Sequence, residues 1–263
     1  MDVNIYLYLF SALLIFLVSA FFAMLGLGGG ILYVPIFHWL GFPVNTVAIP
    51  TGLFLNGVNT FFAFIRYYKA GLVDVRSGMP AAFSALMLAP IGAWNSQHVS
   101  NEILLVIFSS VLSIVGIYSL LKTNAVRKIT KNDSAVRKFV ISISAGGLAG
   151  YAGGLLGIGG GVIVAPLLMM MGFSNKKSIA TTSFIVTLAS FSGYLAHLSH
   201  GSIYLNLIAI TILPVILGSQ LGSWYMTNMK KPSWLKKIYG ILLILISLML
   251  LYEVINSSHK LVE

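Results

Sequence analysis

Apolar residues fill the chain in long unbroken runs, and polar residues gather in the gaps between them. The runs lack the period-two alternation of barrel strands. At least seven approach or reach the roughly 20 residues that cross a bilayer as helix. The first run covers 4–25, stops at Gly26-Leu27-Gly28-Gly29-Gly30 and resumes over 31–40. A turn follows at Gly41-Phe42-Pro43-Val44-Asn45, where Pro and Asn disfavour helix. Helices are expected over 46–65, 79–95 and 102–121, separated by a polar loop over 66–78 and a short turn through Asn101. After a polar stretch at 122–138 the order repeats: an apolar run over 139–156, a break at Gly157-Ile158-Gly159-Gly160-Gly161 and a short segment over 162–171. Helices over 179–199, 204–226 and 238–255 complete it, with a turn at His200-Gly201-Ser202. The pattern predicts an all-α polytopic membrane protein with eight to ten transmembrane or re-entrant helical segments.

The repetition holds in register. An offset of 131 residues carries Gly26 onto Gly157, the three successive glycines onto their counterparts, Pro35 onto Pro166, Gly41 onto Gly172, Phe42 onto Phe173 and Thr51 onto Thr182. An offset of 130 carries Gly71 onto Gly201 and Gly92 onto Gly222. The chain therefore divides into a first membrane repeat at 1–121, a basic cytoplasmic linker at 122–138 and a second membrane repeat at 139–263.

Composition agrees with the pattern, since 58% of the residues are hydrophobic and 8% charged, against about 25% charged in soluble domains. A net charge of +10 would suggest a nucleic-acid partner in a soluble protein. Here its placement says otherwise. Loops 66–78, 122–138, 172–178 and 227–237 hold fifteen of the sixteen Lys and Arg residues, and the turns at 41–45, 96–101 and 200–203 hold none. By the positive-inside rule the first set is cytoplasmic. Each cytoplasmic loop then has its repeat partner outside, so the halves are expected to be inverted, with both termini outside. The start of the chain, Met1-Asp2-Val3-Asn4, has no basic residue ahead of the apolar run and does not read as a cleaved signal.

Little conventional chemistry is available. The chain has no cysteine, which excludes disulfides and thiolate sites. All six acids, Asp2, Asp74, Glu102, Asp133, Glu253 and Glu263, fall at ends or in loops, which argues against a carboxylate relay or cation site at mid-membrane. His38 and His197 lie inside apolar segments without acidic partners and read as packed or interfacial. No catalytic triad, HExxH or metal-ligand cluster occurs, so neither an enzyme nor a cofactor is expected.

The glycine breaks remain. Three consecutive glycines make a poor helix, each costing about 1 kcal/mol relative to alanine. Irregular backbone at membrane depth survives only where protein or a wet cavity satisfies its amides. The helix after each break is expected to start near Gly30 or Gly161, with Pro35 or Pro166 within its first turn or so. Its free amides would make an anion site. Close helix packing is the other reading, and it suffices for Gly146, Gly147, Gly150, Gly153 and Gly154. Thr51, Asn56 and Asn59 are the repeat equivalents of Thr182, Thr187 and Ser190, and Ser183 adjoins them. Neutral donors of this kind suit an oxyanion in a dry site, or else tie helices together. The candidate site is therefore Gly28, Gly29, Gly30, Gly159, Gly160 and Gly161 with Thr51, Asn56, Asn59, Thr182, Ser183, Thr187 and Ser190.

The two glycine breaks with their prolines, together with Ala180-Thr181-Thr182-Ser183, resemble the sulfite exporter TauE/SafE family of anion permeases. The similarity covers nearly the whole chain, and the first half departs from it at Ile49-Pro50-Thr51-Gly52. The resemblance implies transport, often outward, of sulfur-containing anions such as sulfite or sulfonates. A secondary carrier for a small anion is the expected function; a passive anion channel and a membrane scaffold are the alternatives. The expected partners are that anion and the lipid bilayer.

Overall fold

The computed structural model describes residues 5–121, 134–198, 204–229 and 233–260. Most of the basic linker (122–133), the turn at 200–202, and Lys230 and Lys231 lie outside the described residues. The elements are α1 (Ile5–Leu25), α2 (Gly30–Trp39), a π-helical turn (Val44–Ala48) running into α3 (Ile49–Lys69), α4 (Val75–Ser96), α5 (Asn101–Leu120), α6 (Ala135–Leu156), α7 (Gly161–Met170), α8 (Asn175–His197), α9 (Leu205–Asn228) and α10 (Ser233–Lys260). The protein is an all-α polytopic membrane protein. Four described helices, at 44–69, 136–156, 175–197 and 205–228, are long and apolar enough to cross a membrane.

Several helices outrun the apolar runs that announce them. α3 continues to Lys69 and α4 begins at Val75, each about a turn beyond expectation. Arg and Lys are good helix formers and are favourably placed in a last turn, where Arg66 and Lys69 stand. Serine sets other starts: Ser134 and Ser174 accept the N–H of Arg137 and Lys177 as N-caps of α6 and α8. α2 and α7 are different. Each has ten residues, about 15 Å of helix, half a hydrocarbon core. Neither crosses alone.

The breaks are built from left-handed glycines. α1 and α6 end on Gly26 (φ 66°) and Gly157 (φ 77°), with the N–H of Leu27 reaching Phe22 O and that of Ile158 reaching Gly153 O. This five-residue return is a Schellman stop. A second left-handed turn follows at Gly28 (φ 72°) and Gly159 (φ 67°). Pro35 and Pro166 are the sixth residues of α2 and α7. That corrects the expected first-turn placement: a proline there deprives the Ile31 and Val162 carbonyls of their helical donor.

By compactness the chain forms two units, Met1–Ser96 with Lys128–Asn228, and Gln97–Arg127 with Met229–Glu263. Each takes segments from both sequence repeats, so repeat and compact unit are different divisions of the chain. In the larger unit α4 packs on α6 and α8, α1 on α9, and α3 on α8 and α9. Exchanging α1 with α6, α3 with α8 and α4 with α9 turns this set of contacts into itself. Small residues bring the backbones together: a Cβ on Gly146, Gly150 or Gly154 would strike the Ala81, Ala85 or Ala89 carbonyl oxygen. Gly218 and Gly222 of α9 stand in the same way against Phe16 and Ala20 of α1. In the smaller unit α5 packs on α10, where the Ser113 and Ser247 hydroxyls are 2.6 Å apart.

Candidate functional site

The two breaks meet. A Cβ on Gly30 would press on Gly157 O, and one on Gly161 would come within 3.0 Å of the Leu27 backbone. Gly28, Gly29, Gly30, Gly159, Gly160 and Gly161 are all buried. Against them lie one face of α3, with Asn56, Asn59 and Thr60 at i, i+3 and i+4, and one face of α8, with Ser183, Thr187 and Ser190 at i, i+4 and i+7.

Asn56 joins the pieces. Its Oδ1 accepts the Gly30 N–H at 2.7 Å, while Nδ2 donates to Ser190 Oγ at 2.8 Å and reaches Ile158 O at 3.5 Å. The orientation of the amide is dictated, because Gly30 N–H can only donate and Ile158 O only accept. One fully buried side chain thus spans the start of α2, the second break and α8. The fit needs glycine on both sides, since a Cβ on Gly28 or on Gly159 would overlap the Asn56 amide.

A second cluster hangs on Tyr33, which is 0% exposed. Asn59 Nδ2 donates to Tyr33 Oη at 2.9 Å and to Ser19 O at 3.3 Å, and Tyr33 Oη and Ser19 Oγ are 2.5 Å apart. Ser19 Oγ donates to Ile15 O, so the Tyr33 proton points at Ser19 and its lone pair at Asn59. Asn59 Oδ1 is left buried with no partner. In a third cluster Thr187 Oγ1 lies 2.7 Å from Ser183 O and 3.0 Å from Thr60 Oγ1. Its single proton serves one at a time.

The predicted residues are not equally engaged. Ser183 turns its hydroxyl back onto Ala180 O, and Thr181 takes the Asp74 N–H ahead of α4. Thr182 is fully buried and its hydroxyl has no partner. Among the described residues no hydrogen bond joins Thr51 or Thr182 to the Asn56 cluster. A Cβ on Gly29 would meet the Tyr33 ring, and one on Gly160 the Ala149 carbonyl, where those on Gly28 and Gly159 would meet the Asn56 amide. Tyr33, Ser19 and Thr60 escaped the sequence reading because their repeat equivalents, Val164, Gly150 and Phe191, are not polar. Among the described residues no three His, Cys, Asp or Glu stand together as metal ligands.

Removing the tyrosine hydroxyl tests the second cluster. Tyr33→Phe leaves Asn59 Nδ2 and Ser19 Oγ each short of a buried partner, an expected loss of about 1–3 kcal/mol. A melting temperature in detergent unchanged from wild type would show that the cluster contributes no stability.

The model of the sulfite exporter TauE/SafE family matches residues 11–250, a span that includes both breaks and both polar helix faces. The chain belongs to the sulfite exporter TauE/SafE family. Relatives of this TauE/SafE chain include "Probable membrane transporter protein YunE" of Bacillus subtilis, 30% identical over 89% of this chain and 94% of that protein. "Probable membrane transporter protein MJ0441" of Methanocaldococcus jannaschii is 26% identical over 79% and 82%. No solved structure matches.

Proposed function

We propose that this TauE/SafE chain, a membrane transporter by its family, is a secondary carrier that moves small sulfur-containing anions such as sulfite or sulfonates out of the cell. The observation that carries the reading is the Asn56 junction: the start of α2 from one repeat, and the second break and the α8 face from the other, meet at one buried and uncharged side chain. Helix N-termini and neutral N–H and O–H groups stabilise an oxyanion in a dry site. Asn56 Oδ1 holds the Gly30 N–H in the absence of substrate. An arriving oxyanion takes over that N–H, and the Asn56 amide turns its Nδ2 toward the same anion. The partnerless Thr182 hydroxyl, about 12 Å along α8 from Ser190, is a donor for the anion at another point of its passage.

Sidedness follows from charge. With the basic loops in the cytoplasm the repeats are inverted and the termini outside, and each half offers its break from the opposite direction. Export of one negative charge at 100 mV, inside negative, gains about 2.3 kcal/mol. A carboxylate relay is then unnecessary. A reporter fused at the C-terminus should be active only outside the cytoplasm.

Proteoliposomes test the activity itself. Sulfite, taurine or sulfoacetate flux should saturate and respond to the imposed potential. Flux that never saturates would favour a passive channel, and silence toward every sulfur anion would favour breaks that only join the two halves.

A further inference from the structure

Where the C-terminal end of α3, with Arg66 and Lys69, meets that of α9 lies a cavity of about 480 Å³, with no residue of the glycine breaks in its lining. On one side Phe62, Ile65, Arg66 and Lys69 of α3 line it, at i, i+3, i+4 and i+7, and Gln220 and Thr227 of α9 line the other. Its walls are apolar at the Phe62 and Ile65 end and doubly cationic at the Arg66 and Lys69 end. None of the residues lining it is acidic.

The arginine is held ready. Its Nε donates to Gln220 Oε1 at 3.2 Å, and Gln220 is itself fixed by donating Nε2 to Phe62 O at 3.2 Å. Among the described residues its two terminal guanidinium nitrogens make no hydrogen bond, and they form the fork that matches a phosphate or carboxylate. Lys69, three residues on, faces the same space. Two like charges on one helix face repel unless an anion lies between them. The surroundings belong to a lipid boundary. Phe61, Leu217 and Leu221 are exposed beside the cavity, and exposed Tyr68, Trp224 and Tyr225 flank its cationic level, as aromatic residues do at headgroup depth.

We infer that this cavity binds the phosphate of an anionic glycerophospholipid, with Arg66 and Lys69 on the phosphate oxygens and the acyl chain lying over Phe62 and Ile65. Basic crevices between membrane helices are built for such headgroups, and an apolar wall continuous with a cationic end suits a lipid better than a free, fully hydrated anion.

The test uses the full chain purified in detergent. Phosphatidylglycerol is expected to raise its melting temperature more than phosphatidylcholine does, while inorganic phosphate at the same concentration leaves it unchanged. In Arg66→Gln/Lys69→Gln the phosphatidylglycerol effect is expected to vanish. Lys69→Gln alone, at an exposed position whose loss leaves folding intact, is expected to weaken it. Equal effects of the two lipids, or a full phosphatidylglycerol effect in the variants, overturns the inference. A shift produced by inorganic phosphate and lost in the double variant also overturns it, because the site would then serve a soluble anion.

Discussion

Gly160→Ala is expected to damage the fold before it affects any transported anion. Gly160 sits at φ 75°, where an L side chain costs about 1–2 kcal/mol. Its Cβ would also run into the Ala149 carbonyl oxygen, a backbone atom that cannot swing aside. Overpacking of this kind adds about 1–3 kcal/mol. Gly41→Ala separates the two costs. Gly41 is at φ 87° with no atom near a built Cβ, so it should show the conformational cost alone. In detergent the Gly160 variant should melt well below the Gly41 variant or be lost to aggregation. Equal melting temperatures would mean that α6 yields freely, and that the tight meeting of the second break with Ala149 is not a constraint.

Gly160 also marks where a repeat ceases to be a symmetry. Its partner Gly29 has φ −86° and lies under the Tyr33 ring rather than against backbone. The offset of 131 residues aligns the two letters, yet the tyrosine at 33 faces a valine at 164, and the surroundings diverge with it. Helix existence was legible because the apolar runs are long and continuous. Helix ends were less so, since Arg66 to Lys69 interrupts the apolar signal while continuing the helix. The breaks were legible as breaks, but their cause was read as poor helix propensity, when Gly26 and Gly157 are left-handed stops. The expected helix starts at Gly30 and Gly161 hold, and they make Pro35 and Pro166 the sixth residues, one turn deeper than a first-turn proline.

Within the candidate site, Asn56 and Ser190 could be nominated from spacing, because two asparagines and a hydroxyl stand out in apolar sequence. Their pairing could not. The register matches Asn56 to Thr187 and Asn59 to Ser190, whereas the structure bonds Asn56 to Ser190 and Thr187 to Thr60. Register reports which positions are equivalent, and contact across a junction depends on which helix faces cross. Nothing in the spacing of Ala180-Thr181-Thr182-Ser183 separates the helix-bonded Ser183 and the loop-binding Thr181 from the partnerless Thr182.

Asn56→Asp should suppress anion flux more strongly than it perturbs the fold. The substitution keeps the shape and keeps an acceptor for the Gly30 N–H, where a negative charge is favourable at the start of α2. Ser190 can reverse its hydroxyl and donate to the new carboxylate, and only the long 3.5 Å contact to Ile158 O loses its donor. What changes is the charge beside the proposed anion. At roughly 5 Å and an effective dielectric constant of about 20 the repulsion is about 3 kcal/mol, or roughly a hundredfold in occupancy. Asn56→Ala works in the opposite sense: it strips partners from Gly30 N–H and Ser190 Oγ, so its cost of about 1–3 kcal/mol per stranded group falls on stability. Melting temperatures and initial sulfite flux per reconstituted protein distinguish the two. If the aspartate variant transports sulfite like wild type, the anion does not pass Asn56, and the junction only holds the two repeats together. If flux collapses in the aspartate variant while its melting temperature stays above that of the alanine variant, charge at this junction governs passage.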